Sequence, residues 1–339
     1  MEFRNLINGR ALYTEREKIW IAQGMKFFAI DYSGNQVTKQ YWIGTTQQRI
    51  TAYNRVSRQL FREGIHHLIP LLNGDIFLTT KRKAYTLDSS GQIKSTFSRF
   101  VGNKPAHQGV CVTSEGTLFF GEYSVNLHHI NDTTLYRSVD NGIHFVPVLV
   151  FPKNIRHIHF VKYDPYDHCI WLGTGDADHE CNLMCSKDDG DTWEVIGGGS
   201  QDWRAIGICI TEDSLIWGTD AGSVPDINHI VRMDRKTKQL ELISNVEGPC
   251  HGCAKYSNGN ILISTGIEGG ENEQDCYSRL KMIKGNDVFD VLKRKKDILP
   301  LIIQYGVMRF PLGSENSEKV VFTAMGLKGG GEVVVLGEY

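Results

Sequence analysis

One turn motif occurs twice in the middle of this 339-residue chain and constrains its fold more than any other feature. Both copies follow the pattern Ser-x-Asp-x-Gly-x-x-aromatic, at Ser138–Phe145 and at Ser186–Trp193. The Asp side chain can accept backbone N–H bonds, and the Gly can adopt a positive φ, as a tight turn requires. Two copies separated by the length of one supersecondary unit predict a repeat architecture.

The pattern resembles the Asp-box, or BNR, repeat of sialidase-like β-propellers. In that superfamily the box lies at the rim of a blade, between its third and fourth strands and away from the active face. The resemblance therefore implies a β-propeller and gives Asp140 and Asp188 a structural role. Looser copies of the turn keep only the Asp and the Gly, as at Asp31–Gly34 and Asp88–Gly91.

The apolar segments supply an independent count of the blades. Residues 203–243 contain four short strand patterns, of which Trp203–Thr211 is the first, and this is the layout of one propeller blade. The pattern of its second strand recurs seven times, at Ile19–Ala22, Ile76–Thr79, Leu118–Gly121, Ile170–Gly173, Ile216–Gly218, Ile261–Ser264 and Val320–Thr323. The ends of the third strands give the same count, near Asp31, Asp88, Asp140, Asp188, Asp234, Asp287 and Gly337.

The last blade lacks a fourth strand of its own. Counted from Tyr305, it reaches only a third strand at Glu332–Leu336, and the missing strand can come from Glu2–Ile7. Such pairing of the two chain ends leaves no open edge between the last and the first blade. We therefore predict an all-β fold, a single seven-bladed propeller domain over residues 1–339 with almost no helix. The one weak helical pattern is Val288–Lys296.

Composition narrows the classes of partner. A formal net charge of -2 argues against a nucleic-acid-binding protein, which should carry a basic stripe. No run of about 18 apolar residues predicts a membrane span, and residues 1–25 lack the pattern of a signal peptide. The eight cysteines are scattered, so we expect free thiols and a cytoplasmic protein. The sequence does not predict the oligomeric state.

The propeller topology predicts where a site should lie. The first strand of each blade lines the central channel, and its start lies at the same end as the end of the second strand. Residues at these positions converge although they are distant in sequence. Most of the twelve histidines fall there, together with acidic, basic and aromatic residues.

The residue types at these positions suit chemistry on an acidic sugar. Histidine exchanges protons near neutral pH, and carboxylates serve as acid, base or nucleophile in sugar chemistry. The candidate catalytic residues are His157, His159, His107, His251, Asp176 and Asp220. The candidate substrate-binding residues are Arg156, Arg204, Trp203, Glu122, Tyr123, Glu268 and His229.

Structural roles are the alternative for the same residues. His157 and His159 alternate on one strand and could simply fill the channel with hydrogen-bonded imidazole rings. Arg156 could form a buried ion pair with Asp176 or Asp220 instead of holding a substrate.

No cofactor is expected to be required, but a divalent metal is an open alternative. His157 and His159, with His107 or His251, could hold zinc or manganese, and an acidic set of residues could hold calcium. The identity of any metal ligand stays open. The cysteine pairs at 181 and 185 and at 250 and 253 lack a close second pair, which argues against a structural zinc site.

The superfamily that the chain resembles includes sialidases, other glycosidases, polysaccharide lyases and non-catalytic binding propellers. Fold alone does not show to which of these classes a protein belongs. The chain has no Arg-Ile-Pro motif and only Arg156 and Arg204 at suitable strand starts, so we do not expect a true sialidase. Its histidines resemble those of propeller lyases and unusual glycosidases that act on uronic-acid-containing glycans. We therefore expect a lyase or glycoside hydrolase that cleaves an acidic oligosaccharide. The alternative is a non-catalytic glycan- or protein-binding propeller associated with polysaccharide synthesis.

Overall fold

The fold is a seven-bladed β-propeller. The computed structural model describes residues 2–98, 100–222, 227–329 and 331–338, and within these ranges all strands belong to seven four-stranded antiparallel sheets. The chain divides into two compact units. The first unit comprises Met1–Ile65, Gly222–Ile230 and Leu242–Tyr339, and the second comprises His66–Ala221 and Val231–Glu241.

The N-terminal part of the first unit forms one blade and a helical insertion. Its elements are β1 (Glu2–Asn8), β2 (Arg10–Thr14), β3 (Lys18–Gln23), β4 (Lys26–Asp31), β5 (Tyr41–Trp42), α1 (Thr46–Thr51) and α2 (Arg55–Phe61). Strands β2 to β5 pair in chain order. The sequence analysis missed both helices, although Thr45 and Asn54 are N-cap residues whose side chains accept backbone N–H bonds. Neither helix is long enough to give a clear apolar period.

The second unit contains three complete blades, each with its strands in chain order. The first two are β6 (His67–Pro70), β7 (Ile76–Thr80), β8 (Lys83–Leu87), β9 (Ile93–Phe97), then β10 (Val110–Val112), β11 (Leu118–Gly121), β12 (Thr133–Ser138) and β13 (Val146–Phe151). The third is β14 (His157–Asp164), β15 (Cys169–Gly175), β16 (Asn182–Ser186) and β17 (Glu194–Gly198), with a 3₁₀ turn at Asp178–Glu180.

The next blade begins later than the sequence predicts. Its strands are β18 (Cys209–Ile210), β19 (Ser214–Gly218), β20 (His229–Asp234) and β21 (Leu240–Asn245). The predicted first strand Trp203–Thr211 was wrong for most of its length, because Gln201–Trp203 forms a 3₁₀ turn, Ala205 forms only an isolated bridge with Thr219, and continuous pairing starts at Cys209. Trp203 packs against its neighbours from this turn. Sequence pattern alone does not distinguish such an aromatic residue from one that lies in a strand.

The remaining strands of the first unit complete two blades. They are β22 (Cys250–Lys255), β23 (Ile261–Thr265), β24 (Tyr277–Lys284), β25 (Asp287–Lys295), β26 (Val307–Arg309), β27 (Val320–Leu327) and β28 (Gly331–Glu338), with a 3₁₀ turn at Ser314–Asn316. The last sheet has the order β1-β28-β27-β26, which confirms the predicted closure by the N-terminal strand. The helical prediction for Val288–Lys296 was wrong. This segment is strand β25, whose exposed and half-buried residues suit an outer strand with one face in water.

The inner strands form the core. All seven residues of β15 and all four of β11 are buried, which explains why the second strands read as continuous apolar runs. Large rings such as Trp171 and Trp217 lie among them with less than a few per cent of their surface exposed. Outer strands such as β13 and β17 keep exposed positions. Because these second strands are fully buried and these fourth strands are partly exposed, the second strands were the easier repeat to recognise in the sequence.

Both copies of the turn motif connect a third strand to a fourth, as predicted. In the second copy the Ser186 hydroxyl accepts the Gly190 N–H at 2.9 Å and donates to Asp188 Oδ1 at 2.9 Å. The first copy repeats these bonds at Ser138, with distances of 2.9 and 2.8 Å. Hydrogen bonds from the side chain and backbone of Thr192 lower the pKa of Asp188 to about 2. The Asp in this turn is thus a backbone acceptor that stays ionised.

Two further expectations can be compared with the structure. All eight cysteines are free, as predicted, and only Cys276 among them is exposed. Across the part of the chain that the structure describes, no helix combines the length and apolar character needed to cross a membrane.

Candidate functional site

Two buried histidines lie at the start of the first strand of a blade in the second unit. His157 and His159 belong to β14 and are each 3% exposed. Strand β14 contains a β-bulge at this point, because Ile158 pairs with Thr174 while Phe160 pairs with Gly173. The bulge leaves His159 as the extra residue, and such bulges re-aim side chains. The Nε2 atoms of the two imidazoles lie 2.9 Å apart.

Backbone carbonyl groups fix the orientation of both rings. His157 Nδ1 lies 2.8 Å from the Ser124 carbonyl oxygen, and His159 Nδ1 lies 3.1 Å from that of Ala205. A carbonyl oxygen can only accept a hydrogen bond, so each Nδ1 carries a proton. Each Nε2 is therefore the ring nitrogen that remains for chemistry. Burial lowers the pKa of His159 to about 4, so its ring is neutral at pH 7.

A single carboxylate joins these histidines to two arginines. Asp176 directly follows β15, and its Oδ1 lies 3.3 Å from His157 Nε2 and 3.2 Å from His159 Nε2. The same oxygen lies 2.9 Å from Arg204 Nη2, while Oδ2 accepts a hydrogen bond from Arg156 Nη1. Burial raises the pKa of Asp176, but the hydrogen bonds with His157 and His159 outweigh it and hold this pKa well below its usual range. Asp176 is therefore ionised.

Arg204 bridges two acidic side chains. Its Nη2 atom lies 2.9 Å from Asp176 Oδ1 and 3.2 Å from Asp220 Oδ2. The backbone supports this arrangement, since the Asp220 N–H donates to the Arg204 carbonyl at 3.0 Å. The pairing of Arg156 with Asp176 is the ion pair that the sequence analysis gave as an alternative. Both guanidinium groups remain partly accessible, with 25% of Arg156 and 16% of Arg204 side chains exposed.

Tyr123 covers one side of the histidine pair. It follows β11 in a loop, and its ring stacks on His157 with centroids 4.1 Å apart and an interplanar angle of 27°. The residue is 36% exposed. The next residue, Ser124, provides the carbonyl group that binds His157. One short loop therefore positions an exposed aromatic ring and orients the imidazole below it.

Glu180 holds the backbone of two site residues in place, and the sequence analysis did not select it. This carboxylate is 2% exposed and accepts the backbone N–H groups of Arg156 at 3.0 Å and Asp176 at 3.3 Å. Its other oxygen lies 2.6 Å from His129 Nε2. Glu180 touches the backbone of both residues rather than the reacting groups, so it is a positioning residue. Its only signal in the sequence was its place in the acidic loop that follows Asp176.

Two predicted binding residues are already engaged in structural contacts. Glu122 is buried, and its two oxygens accept the backbone N–H groups of Val101 and Thr134, both at 3.0 Å. Burial raises its pKa. The ring of Trp203 stacks on Trp217 with centroids 6.0 Å apart. Glu122 thus satisfies backbone donors, and Trp203 packs in its blade.

The remaining predicted residues have contacts of their own. His107 is half-buried in the loop before β10 of the second unit. In the first unit, His251 occupies a bulge in β22, and its Nε2 lies 3.0 Å from Glu268 Oε1. His229 begins β20, and its Nδ1 lies 2.9 Å from Asn245 Oδ1. Within the second unit, one network joins His157, His159, Asp176, Arg156, Arg204, Asp220 and Tyr123.

Several solved structures share this fold. Virginiamycin B lyase from Staphylococcus aureus is similar with a TM-score of 0.63 and 14% sequence identity over 100% of both chains. An oligogalacturonate lyase from Vibrio parahaemolyticus has a TM-score of 0.62 and 12% identity over 98% of this chain and 92% of that chain. A GH74 enzyme from Niastella koreensis has a TM-score of 0.55 and 14% identity over 86% of this chain and 47% of that chain.

No protein-family model matches the sequence, and no curated protein matches it. At identities this low, the structural likeness shows the fold alone, a propeller that enzymes of different chemistry share. What the site can do must therefore be argued from its own residues. It combines an ionised carboxylate, two oriented imidazole nitrogens and two guanidinium groups within hydrogen-bonding reach of one another.

Proposed function

We propose that the protein cleaves an acidic oligosaccharide of the uronic-acid type, and that it does so by elimination. The observation that carries the proposal is the convergence of Arg156 and Arg204 on Asp176, directly beside the His157 and His159 imidazoles. An acidic sugar needs cations for its carboxylate and a group that exchanges protons close to them. This network offers both.

The arginines are suited to hold the substrate's carboxylate. Arginine binds carboxylates through a planar fork of donors, and such charge-assisted bonds are stronger and more directional than neutral ones. Arg204 already contacts two carboxylates at once, Asp176 and Asp220. A substrate carboxylate therefore meets guanidinium groups whose positions are fixed before it arrives. This preorganisation favours binding of an anion.

Elimination requires two proton movements. The C5–H bond next to the substrate's carboxylate breaks and its proton goes to a base, the C4–O bond breaks, and a C4=C5 double bond forms. The leaving oxygen then takes a proton from the solvent. The arginines stabilise the charge that develops on the carboxylate, and the imidazole centre at His157 and His159 receives the C5 proton. Tyr123 offers its exposed ring as a surface for the sugar.

The carboxyl groups of the site are less suited to hydrolysis. A glycoside hydrolase needs one carboxylic acid with a raised pKa to protonate the leaving oxygen. The pKa of Asp176 is held low, since its contacts with the His157 and His159 imidazoles outweigh its burial. Burial raises the pKa of Glu122, but both of its oxygens bind backbone N–H groups. Hydrolysis would thus depend on Asp220 as the acid.

The structural neighbours give limited support to the substrate class. One of them is named as an oligogalacturonate lyase and another as a GH74 enzyme. The hydrogen bonds of the two repeated turns also support a place among the Asp-box propellers. The proposal itself rests on the residues of the site.

The test is a screen of the purified protein against uronic-acid-containing oligosaccharides. Ultraviolet absorbance detects the unsaturated product of elimination, and new reducing ends detect any cleavage. The proposal predicts both signals together, and their loss in Arg204→Ala but not in Arg137→Ala, which removes an arginine paired with Asp191 at the surface. Reducing ends without absorbance would mean hydrolysis. Binding without either signal would favour a non-catalytic glycan-binding propeller.

A further inference from the structure

Three ligand-type atoms of the site face one another at short distances. The separations are 2.9 Å between the Nε2 atoms of His157 and His159, 3.3 Å from His157 Nε2 to Asp176 Oδ1, and 3.2 Å from His159 Nε2 to the same oxygen. The point equidistant from all three lies about 1.8 Å from each. A cation with bonds of about 2.1 Å would thus sit about 1 Å out of their plane.

The hydrogen bonds of the two rings leave both Nε2 atoms facing the carboxylate of Asp176. Both Nδ1 atoms donate to backbone carbonyl groups, those of Ser124 and Ala205. Both Nε2 atoms and Asp176 Oδ1 are then potential hydrogen-bond acceptors within 3.3 Å of one another. Such an arrangement is repulsive unless a positive charge lies between the three atoms.

A shared proton or a metal cation would satisfy this requirement. The second-layer contacts favour the metal, because metal-binding histidines characteristically donate their other ring N–H to a backbone carbonyl or a carboxylate. Two imidazoles and one carboxylate on a single face also match a known arrangement for divalent transition metals, which leaves further coordination positions open.

We infer that His157, His159 and Asp176 form a binding site for one divalent first-row transition metal, such as zinc or manganese. Two imidazole ligands argue against magnesium and calcium, which prefer oxygen ligands. The role of this metal in turnover rests on the proposed function, but its binding does not. With the metal bound, the Nε2 lone pairs would be ligands, and a hydroxide held by the metal would take the C5 proton in their place.

The neighbouring charges predict how the metal binds. Arg156 and Arg204 already contact the carboxylates of Asp176 and Asp220, so a dication would add two positive charges beside two guanidinium groups. An anion in the open coordination positions would offset them. We therefore expect weak binding of the metal alone and tighter binding in the presence of a uronate, and the coupling must be reciprocal.

Cobalt is a suitable probe because it replaces zinc and has visible absorption bands when bound. Protein stripped with a chelator is titrated with Co²⁺, with and without glucuronate, and the bound cobalt is counted by elemental analysis. The expected result is one cobalt per chain, with an affinity at least about 10-fold higher when glucuronate is present. His157→Ala and Asp176→Asn should each weaken Co²⁺ binding about 100-fold or more, because even outer-layer partners of a ligand change metal affinity 10- to 100-fold.

The controls separate a lost site from a lost fold. His128→Ala removes an exposed histidine from the same unit and should leave Co²⁺ binding unchanged. His157→Gln is a second variant, and thermal melting identifies any variant that is unfolded. Failure of the folded wild type to bind Co²⁺ in either condition would overturn the inference in favour of a shared proton. Binding that persists in every variant would overturn it too.

The outcomes also separate this inference from the proposed function. Cobalt bound at this site without turnover of any uronic-acid oligosaccharide would keep the metal site and refute the proposed activity. Turnover by chelator-treated protein that binds no metal would keep the activity and refute the metal site.

Discussion

Arg204 is the residue whose removal should disturb the site most, because it contacts two carboxylates at once. In Arg204→Ala, Asp220 loses the guanidinium at 3.2 Å and Asp176 loses the one at 2.9 Å. The three side chains are largely buried, with exposed fractions of 16% for Arg204, 14% for Asp176 and 10% for Asp220. Water can therefore replace the lost contacts only in part.

The magnitude follows from these contacts. A hydrogen bond to a charged group contributes about 1.5–3 kcal/mol, and breaking a buried ion pair costs about 3–5 kcal/mol. Asp176 keeps its contact with Arg156, which places the expected loss near the lower end of that range. We expect Arg204→Ala to lower the free energy of unfolding by about 3 kcal/mol.

Urea denaturation followed by tryptophan fluorescence measures this loss. With a slope of about 3 kcal/mol per molar urea, the midpoint should fall by about 1 M. Arg137→Ala is the matched control, since Arg137 pairs with the exposed Asp191 and should contribute about 1 kcal/mol or less. Arg204→Lys should recover part of the loss, because it keeps the charge but not the fork of donors. Equal midpoints for Arg204→Ala and Arg137→Ala would refute the reasoning.

Three further predictions concern other parts of the chain. Burial raises the pKa of Glu332, but Arg10 and Arg58 outweigh this effect and lower the pKa to about 2. The stability that the carboxylate contributes is therefore complete above its unfolded pKa of 4.5 and is lost as the pH falls toward 2. The Tm difference between wild type and Glu332→Gln should shrink over that range. Ser186→Ala removes two hydrogen bonds from a buried hydroxyl and should cost about 1–2 kcal/mol in urea denaturation. Cys276, as the exposed thiol, should account for the fast phase of labelling by a thiol reagent, and Cys276→Ser should abolish that phase.

The fold could be predicted because its strongest signals are local. Second strands are buried on both faces, so they appear as apolar runs between turn residues, and the Asp-box turns mark the exits of two third strands. The misassigned segments lacked such signals. Val288–Lys296 is a charged outer strand whose half-exposed pattern resembles a helical one, and β18 is only two residues long.

The candidate site could be predicted only as far as side-chain types reveal it. Histidines and carboxylates at strand ends pointed to His157, His159 and Asp176. The contacts that orient them come from the backbone carbonyls of Ser124 and Ala205, and any residue type provides a carbonyl. The bulge at His159 likewise depends on strand pairing rather than on composition. These features determine which ring nitrogens face the carboxylate, and only the structure reveals them.

The most direct test of an acidic substrate compares a uronic-acid oligosaccharide with its neutral hexose counterpart. The account predicts that wild-type kcat/KM favours the acidic substrate at least about 100-fold, since a site built for a charged group rejects an analogue that lacks it. It also predicts that Arg204→Ala removes most of this preference while Arg137→Ala retains it. Equal turnover of both substrates by the wild type would contradict the central claim.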